Sequence, residues 1–428
     1  MRFRVLWRRV ATAVGIYGSV LFGILATIVA ARELSNTDFA RFALVFAITG
    51  LLQLFLDLTI DEVVVKYGNR YAARGDWGRF QRLFGLGLRV KLLGGVVGSL
   101  AIVLAAFLSP WIWGLHGIEG PLLVASLIPI VQAPEGMASA ALLIRNRYDV
   151  RAACLLWSMA LRLVAILIGA SIGVTATFVA IVLAQVVATV TVSAVGLYAH
   201  RRWPRVEAEP LGDHAKEIRS FAIQSTAASG LQSLRGLLPL VLVGVVATTS
   251  QVAYFRIAQA PQTAFASLSS PARMVMLAEQ TRDIEHGRHD RAWRLLRRYI
   301  GSAAGIVLVV VPLAWIWMES LIRIIYGARY IGATDAARLM LLAAAVQLIL
   351  GWTKSFPVSI GKPGMRTTGQ ALEIGTLVPL VLILGNLYGA AGAAGGVFGS
   401  SLVLAAFWLV GLLRMRGRPL ADVDGAVS

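Results

Sequence analysis

Seven ionisable side chains interrupt the long apolar stretches of this chain: Arg162, Arg235, Arg256, Lys354, Asp57, Glu135 and Glu373. A charge at the centre of a membrane helix costs about 2.5–3.5 kcal/mol on insertion scales, so each must face a partner or a polar cavity. The four cations suit an anionic ligand, because a guanidinium fork matches phosphate oxygens in a bidentate geometry. Salt bridges within the protein are the other use for them. Arg235 and Lys354 are the leading candidates for such a cationic cavity, followed by Arg162 and Arg256. Asp57, Glu135 and Glu373 are read either as sites for a coupling proton or sodium ion or as salt-bridge partners. Arg256 and Asp57 lie near enough to span ends to snorkel. The single cysteine, Cys154, cannot form an intramolecular disulfide, and His286 and His289 do not make a ligand set of the usual spacing. No catalytic residue, metal or cofactor is expected, and the chain is read as a non-enzyme.

These groups must be positioned by membrane helices. Of the 428 residues 57% are hydrophobic and 14% charged, against about 25% charged in soluble domains. The net charge of +18 is spread in short clusters between apolar runs, which excludes a nucleic-acid-binding face. A bilayer core about 30 Å thick takes about 20 apolar helical residues. Twelve windows meet that length: 11–31, 39–60, 83–108, 122–144, 152–172, 176–199, 221–246, 252–276, 300–318, 336–360, 365–387 and 391–413. The first lacks a cleavage signal and is expected to stay in the mature protein.

Basic residues test the count independently. With these windows, 31 of the 40 Lys and Arg fall on one side of the membrane, including Arg89 and Lys91. Only Arg32, Arg41, Arg323, Arg329 and Arg338 fall on the other. The positive-inside rule then places both termini in the cytoplasm.

The chain also echoes itself. "DFARFALVFA" opening the second span resembles "QVAYFRIAQA" opening the eighth, 213 residues on, and "GDWGRFQRLF" resembles "GRHDRAWRLL" at an offset of 212. Two six-span lobes related by a parallel pseudo-two-fold follow, because an even number of spans returns the chain to its starting side. The lobes are expected at 1–202 and 217–428, with 203–216 as a Pro-containing, acidic linker. Gly94 with Gly98, Gly392 with Gly396, and Gly395 with Gly399 read as close helix contacts. Prolines within spans, Pro261 among them, read as kinks. The basic stretches after the second and eighth spans, the first with Lys66, Arg70 and Arg74 on one helical face, are expected on the cytoplasmic leaflet, where anionic lipid attracts them.

Two stretches resemble a known family: "ARELSNTDFARFALVFAITGLLQLFLDL" and "YGARYIGATDAARLMLLAAAVQLILGWTKSFPVSIGKPGMRTTG". Both are similar to bacterial oligosaccharide-lipid flippases of the multidrug/oligosaccharidyl-lipid/polysaccharide exporter superfamily. The resemblance implies an all-α membrane protein of about twelve spans, with two lobes around a V-shaped central cavity in the bacterial inner membrane. It implies an undecaprenyl-diphosphate oligosaccharide as substrate, a repeat unit of O-antigen, capsule or exopolysaccharide. Membrane lipid, a polysaccharide polymerase or glycosyltransferases are the implied partners, and nucleic acid is not. The related lipid II flippases place arginines in the first span, whereas residues 11–31 here carry no charge. That departure and the count of twelve spans argue against a peptidoglycan precursor. Two other readings compete. An ion-coupled multidrug extruder of the same superfamily would favour acids over bases in the membrane, and a membrane glycosyltransferase or polymerase would need a larger outer loop.

Overall fold

A computed structural model describes residues 2–56, 60–114, 117–204, 206–286, 288–354, 356 and 363–416. Among these residues the regular structure is entirely helical. That is what lipid demands of a chain with one long apolar run after another, since a helix satisfies its own backbone groups. The helices are α1 (Arg2–Glu33), α2 (Asn36–Leu56), α3 (Ile60–Arg74), α4 (Trp77–Trp113), α5 (Glu119–Ala125), α6 (Leu127–Ile144), α7 (Tyr148–Ala170) and α8 (Val174–His200). They continue as α9 (His214–Val246), α10 (Thr249–Ala258), α11 (Ala260–Glu285), α12 (His289–Ile316), α13 (Met318–Ile325), α14 (Thr334–Ile349) and α15 (Pro363–Arg416).

By length and composition, eight helical segments among the described residues can cross a membrane. Their outward side chains are large and apolar, with Trp111 88%, Leu308 77% and Ile172 76% exposed, a surface that belongs in hydrocarbon. Three expected spans take a different local form. The window 252–276 is broken between α10 and α11, where Pro261 brings no backbone N–H to the ladder. The windows 365–387 and 391–413 form one continuous assignment, α15, whose 54 residues would measure about 81 Å if straight.

It is not straight. Gly389 adopts φ 60° and ψ −137°, a conformation that penalises any side chain, and the Gln251 side chain accepts from the Ala390 N–H at 2.8 Å. The two arms then run back along each other on glycine. A Cβ on Gly392 would clash with the Leu384 carbonyl oxygen, and one on Gly396 would lie 2.8 Å from the Val381 nitrogen. Both glycines are packing residues, as their spacing predicts. Gly392→Ala is expected to lower stability by about 1–3 kcal/mol through overpacking, measured as a lower unfolding midpoint in detergent. An unchanged midpoint would mean that the arms do not touch there.

The chain divides into two compact units, Met1–Leu237 and Leu238–Ser428. The division falls inside α9. The reason is that the first half of α9 packs onto α3: Phe221 meets Tyr67 edge-on at 5.8 Å, and Glu217 accepts from Tyr67 at 3.2 Å and Arg70 at 3.2 Å. Burial pushes the Tyr67 hydroxyl above its ordinary pKa, and the Glu217 carboxylate adds to the shift, so this phenol stays a donor at neutral pH. Lys66 lies over the Phe221 ring at 3.7 Å. Lys66 and Arg70 are therefore engaged by the protein's own α9. The first unit's core gathers Val63, Tyr67, Tyr71, Phe80 and Met137, and the second unit's gathers Met276, Leu296, Trp352, Phe356 and Trp408.

Candidate functional site

Within the first unit, α2, α3, α4, α6 and α7 line a cavity of about 190 Å³ with polar side chains: Gln53, Asp61, Lys91, Gln132, Glu135, Ser139 and Arg151. Pockets that enclose drug-sized ligands run about 300–1,000 Å³, so this one has room for several waters or a small ion but not for a drug-sized ligand. Gln53 donates to Gln132 at 3.0 Å, an amide pair that joins α2 to α6. Lys91, only 7% exposed, pairs with Asp61 at 3.1 Å. Gly136 leaves room for it, since a Cβ there would lie 3.2 Å from Lys91 Cε. Lys91 is a buried ion-pair member within α4. A Lys91→Ala, Asp61→Ala double-mutant cycle is expected to give a coupling of about 1 kcal/mol in unfolding experiments, moderated by the exposure of Asp61. No coupling would remove the pair from the account.

Deeper in the same unit, Glu135 Oε1 accepts from Gln185 Nε2 at 2.7 Å and from Thr189 Oγ1 at 2.7 Å. The Gln185 oxygen in turn accepts from Arg162 Nη2 at 3.4 Å. Gln185 and Thr189 sit four apart on α8, so both reach one carboxylate from one face. Arg162 also stands over the Phe46 ring at 5.5 Å, which ties α7 to α2. The arrangement is a charge-compensated network in which an amide mediates between a carboxylate and a guanidinium. The structure thus brings together Arg162 and Glu135, two of the residues singled out in the sequence.

The other candidates are placed as follows. Arg235 is half-buried on α9. In the second unit Arg256 is half-buried on α10 and donates to Gln259 at 3.2 Å, so it is engaged locally. Glu373 is 2% exposed on the first arm of α15. Lys354 ends the turn Leu350–Lys354, and its side chain lies outside the described residues, as does Asp57. The second unit has its own amide pair, with Gln262 donating to Gln347 at 3.0 Å and Gln347 to Ser401 at 3.0 Å. Sequence reasoning that weighed only charges passed over Gln53, Gln132, Gln185, Gln262 and Gln347. Uncharged amides inside apolar windows were the signal that could have found them.

The family model for polysaccharide biosynthesis proteins matches residues 29–335. Among solved structures, an inward-facing multidrug resistance MATE family transporter of the MOP superfamily superposes with a TM-score of 0.76 at 14% identity, over 95% of this chain and 96% of that one. The lipid II flippase MurJ in an inward closed conformation gives 0.71 at 13% identity, over 96% of this chain and 89% of that one. A MOP superfamily transporter from Pyrococcus furiosus gives 0.62 at 14% identity, over 95% and 94%. At these identities the likeness is one of fold. A search of curated proteins finds no match.

Proposed function

The chain belongs to the polysaccharide biosynthesis protein family, and on that premise we propose that it flips undecaprenyl-diphosphate-linked oligosaccharide repeat units across the bacterial inner membrane by alternating access, with no covalent step. The observation that carries the reading is the family match over residues 29–335, which runs through the apolar helices of a chain with a transporter fold. In this account α2, α9 and α10–α11 add three crossings to the eight long apolar segments. The two arms of α15 count separately, making twelve, arranged as lobes 1–202 and 217–428 about the linker 203–216. Both termini are cytoplasmic, in line with the skew of Lys and Arg.

The diphosphate is held by cations. Arg235 and Lys354 lead that role, with Arg256 and Arg162 as further candidates, while Asp57, Glu135 and Glu373 serve ion coupling or salt bridges. Arg162 is best understood through its network with Glu135 and Gln185, which lowers its availability to substrate. A polysaccharide polymerase and glycosyltransferases are the proposed neighbours in the pathway.

Ligand-dependent stability tests this reading. A polyprenyl-diphosphate oligosaccharide at about 100 times its Kd is expected to stabilise the purified protein by about 2.7 kcal/mol, and the free polyprenol to do little. Stabilisation by a small cationic drug instead, with no response to the diphosphate, would favour a multidrug extruder.

A further inference from the structure

The arginines that open α12 belong to neither network. Arg291, Arg294 and Arg298, spaced three and four apart, form one stripe along the helix, and all three are exposed. Their base is fixed from below. Asp283, 7% exposed near the end of α11, pairs with Arg288 at 3.0 Å and with Arg291 at 3.9 Å, so the α11–α12 turn is pinned. The opposite face of α12 carries Leu296 into the second unit's core.

The same stripe continues along α12 through Ser302, Gly305, Val309, Leu313 and Ile316, all exposed, with Val309 at 60% and Ile316 at 70%. Such a surface within a candidate span lies against hydrocarbon. One helix face therefore passes from apolar side chains directly into arginines. Val309 lies near the middle of the apolar part, and Arg298 is about 16 Å from it along the axis, roughly half the hydrocarbon thickness. The arginines stand at headgroup level.

The repeat-related stretch of the first unit differs. There Arg79 is tied to Asp76 at 3.0 Å, and Pro204 and Glu209 lie over the start of α4. Gln81 donates to the Pro204 carbonyl at 3.2 Å, and the Glu209 N–H to the Gly78 carbonyl at 3.2 Å. A Cβ on Gly78 would come within 2.7 Å of Glu209. The first unit thus places its own acidic linker over this position.

We infer that the Arg291, Arg294 and Arg298 stripe is a docking site for anionic phospholipid headgroups. The phosphodiester takes charge-assisted hydrogen bonds from the guanidinium groups, and the acyl chain lies along Val309, Leu313 and Ile316. The site does not depend on what the protein transports.

The test is lipid retention by the full-length protein. Detergent-solubilised protein is equilibrated with equimolar phosphatidylglycerol and phosphatidylcholine at low salt, re-purified, and its retained lipids are quantified by mass spectrometry. Each basic residue near a membrane surface is worth roughly a five-fold change in binding. Phosphatidylglycerol is expected to be enriched on the wild type, and the enrichment to fall tenfold or more in R291Q/R294Q/R298Q. R294Q alone, the milder change, is expected to lower it several-fold. Equal retention of the two lipids by the wild type, or unchanged enrichment in both variants, would overturn the inference.

Discussion

Replacing Glu135 with Ala is expected to destabilise the protein by about 3 kcal/mol, within the range found when one partner of a buried ionic network is removed. Its Oε1 serves two donors, Gln185 and Thr189, and both would be left in the interior of α6–α8 without their acceptor. The loss extends to Arg162, which reaches the carboxylate through the Gln185 oxygen. Glu135→Gln is expected to cost less, because an amide oxygen still accepts from Thr189 and Gln185 while only the charge is lost. Unfolding midpoints in detergent for the two variants check the order. Equal midpoints for wild type and Glu135→Ala would show that the network is not structural.

Arg235→Ala is expected to cut the initial rate of lipid-linked oligosaccharide transfer by about ten- to a hundred-fold, since a hydrogen bond to a charged group is worth about 1.5–3 kcal/mol. Arg235→Lys keeps the charge and loses the planar fork, so an intermediate rate is expected. The measurement is protein-dependent transfer in proteoliposomes, at matched amounts of folded protein. A wild-type rate for Arg235→Ala would remove this arginine from substrate handling.

Much of the architecture was legible because lipid imposes a simple rule on apolar run length. Gly392 and Gly396 could be read as contacts from spacing alone, and Pro261 marked the break between α10 and α11. What spacing does not show is which face of a helix meets which neighbour. Phe221 and Glu217 of α9 meet Tyr67 of α3, a pairing between residues about 150 positions apart in sequence. The pairing of Lys91 was silent for a related reason: a cation near the start of an apolar run looks the same whether it snorkels or turns inward. Its burial depends on Gly136 of α6 and Asp61 of α3. At the site, Glu135 and Arg162 stood out as charges in apolar windows. The amide between them was silent, because Gln185 carries no charge to mark it.

Leaflet transfer of a polyprenyl-diphosphate oligosaccharide is the most direct test of the central claim. Wild-type protein in sealed proteoliposomes is supplied with the lipid in the inner leaflet, and a sugar-directed enzyme outside reports its arrival. Protein-dependent exposure of the sugar is the predicted result. Exposure no faster than in protein-free liposomes, by protein that drives ion-coupled movement of a small cationic drug, would contradict it.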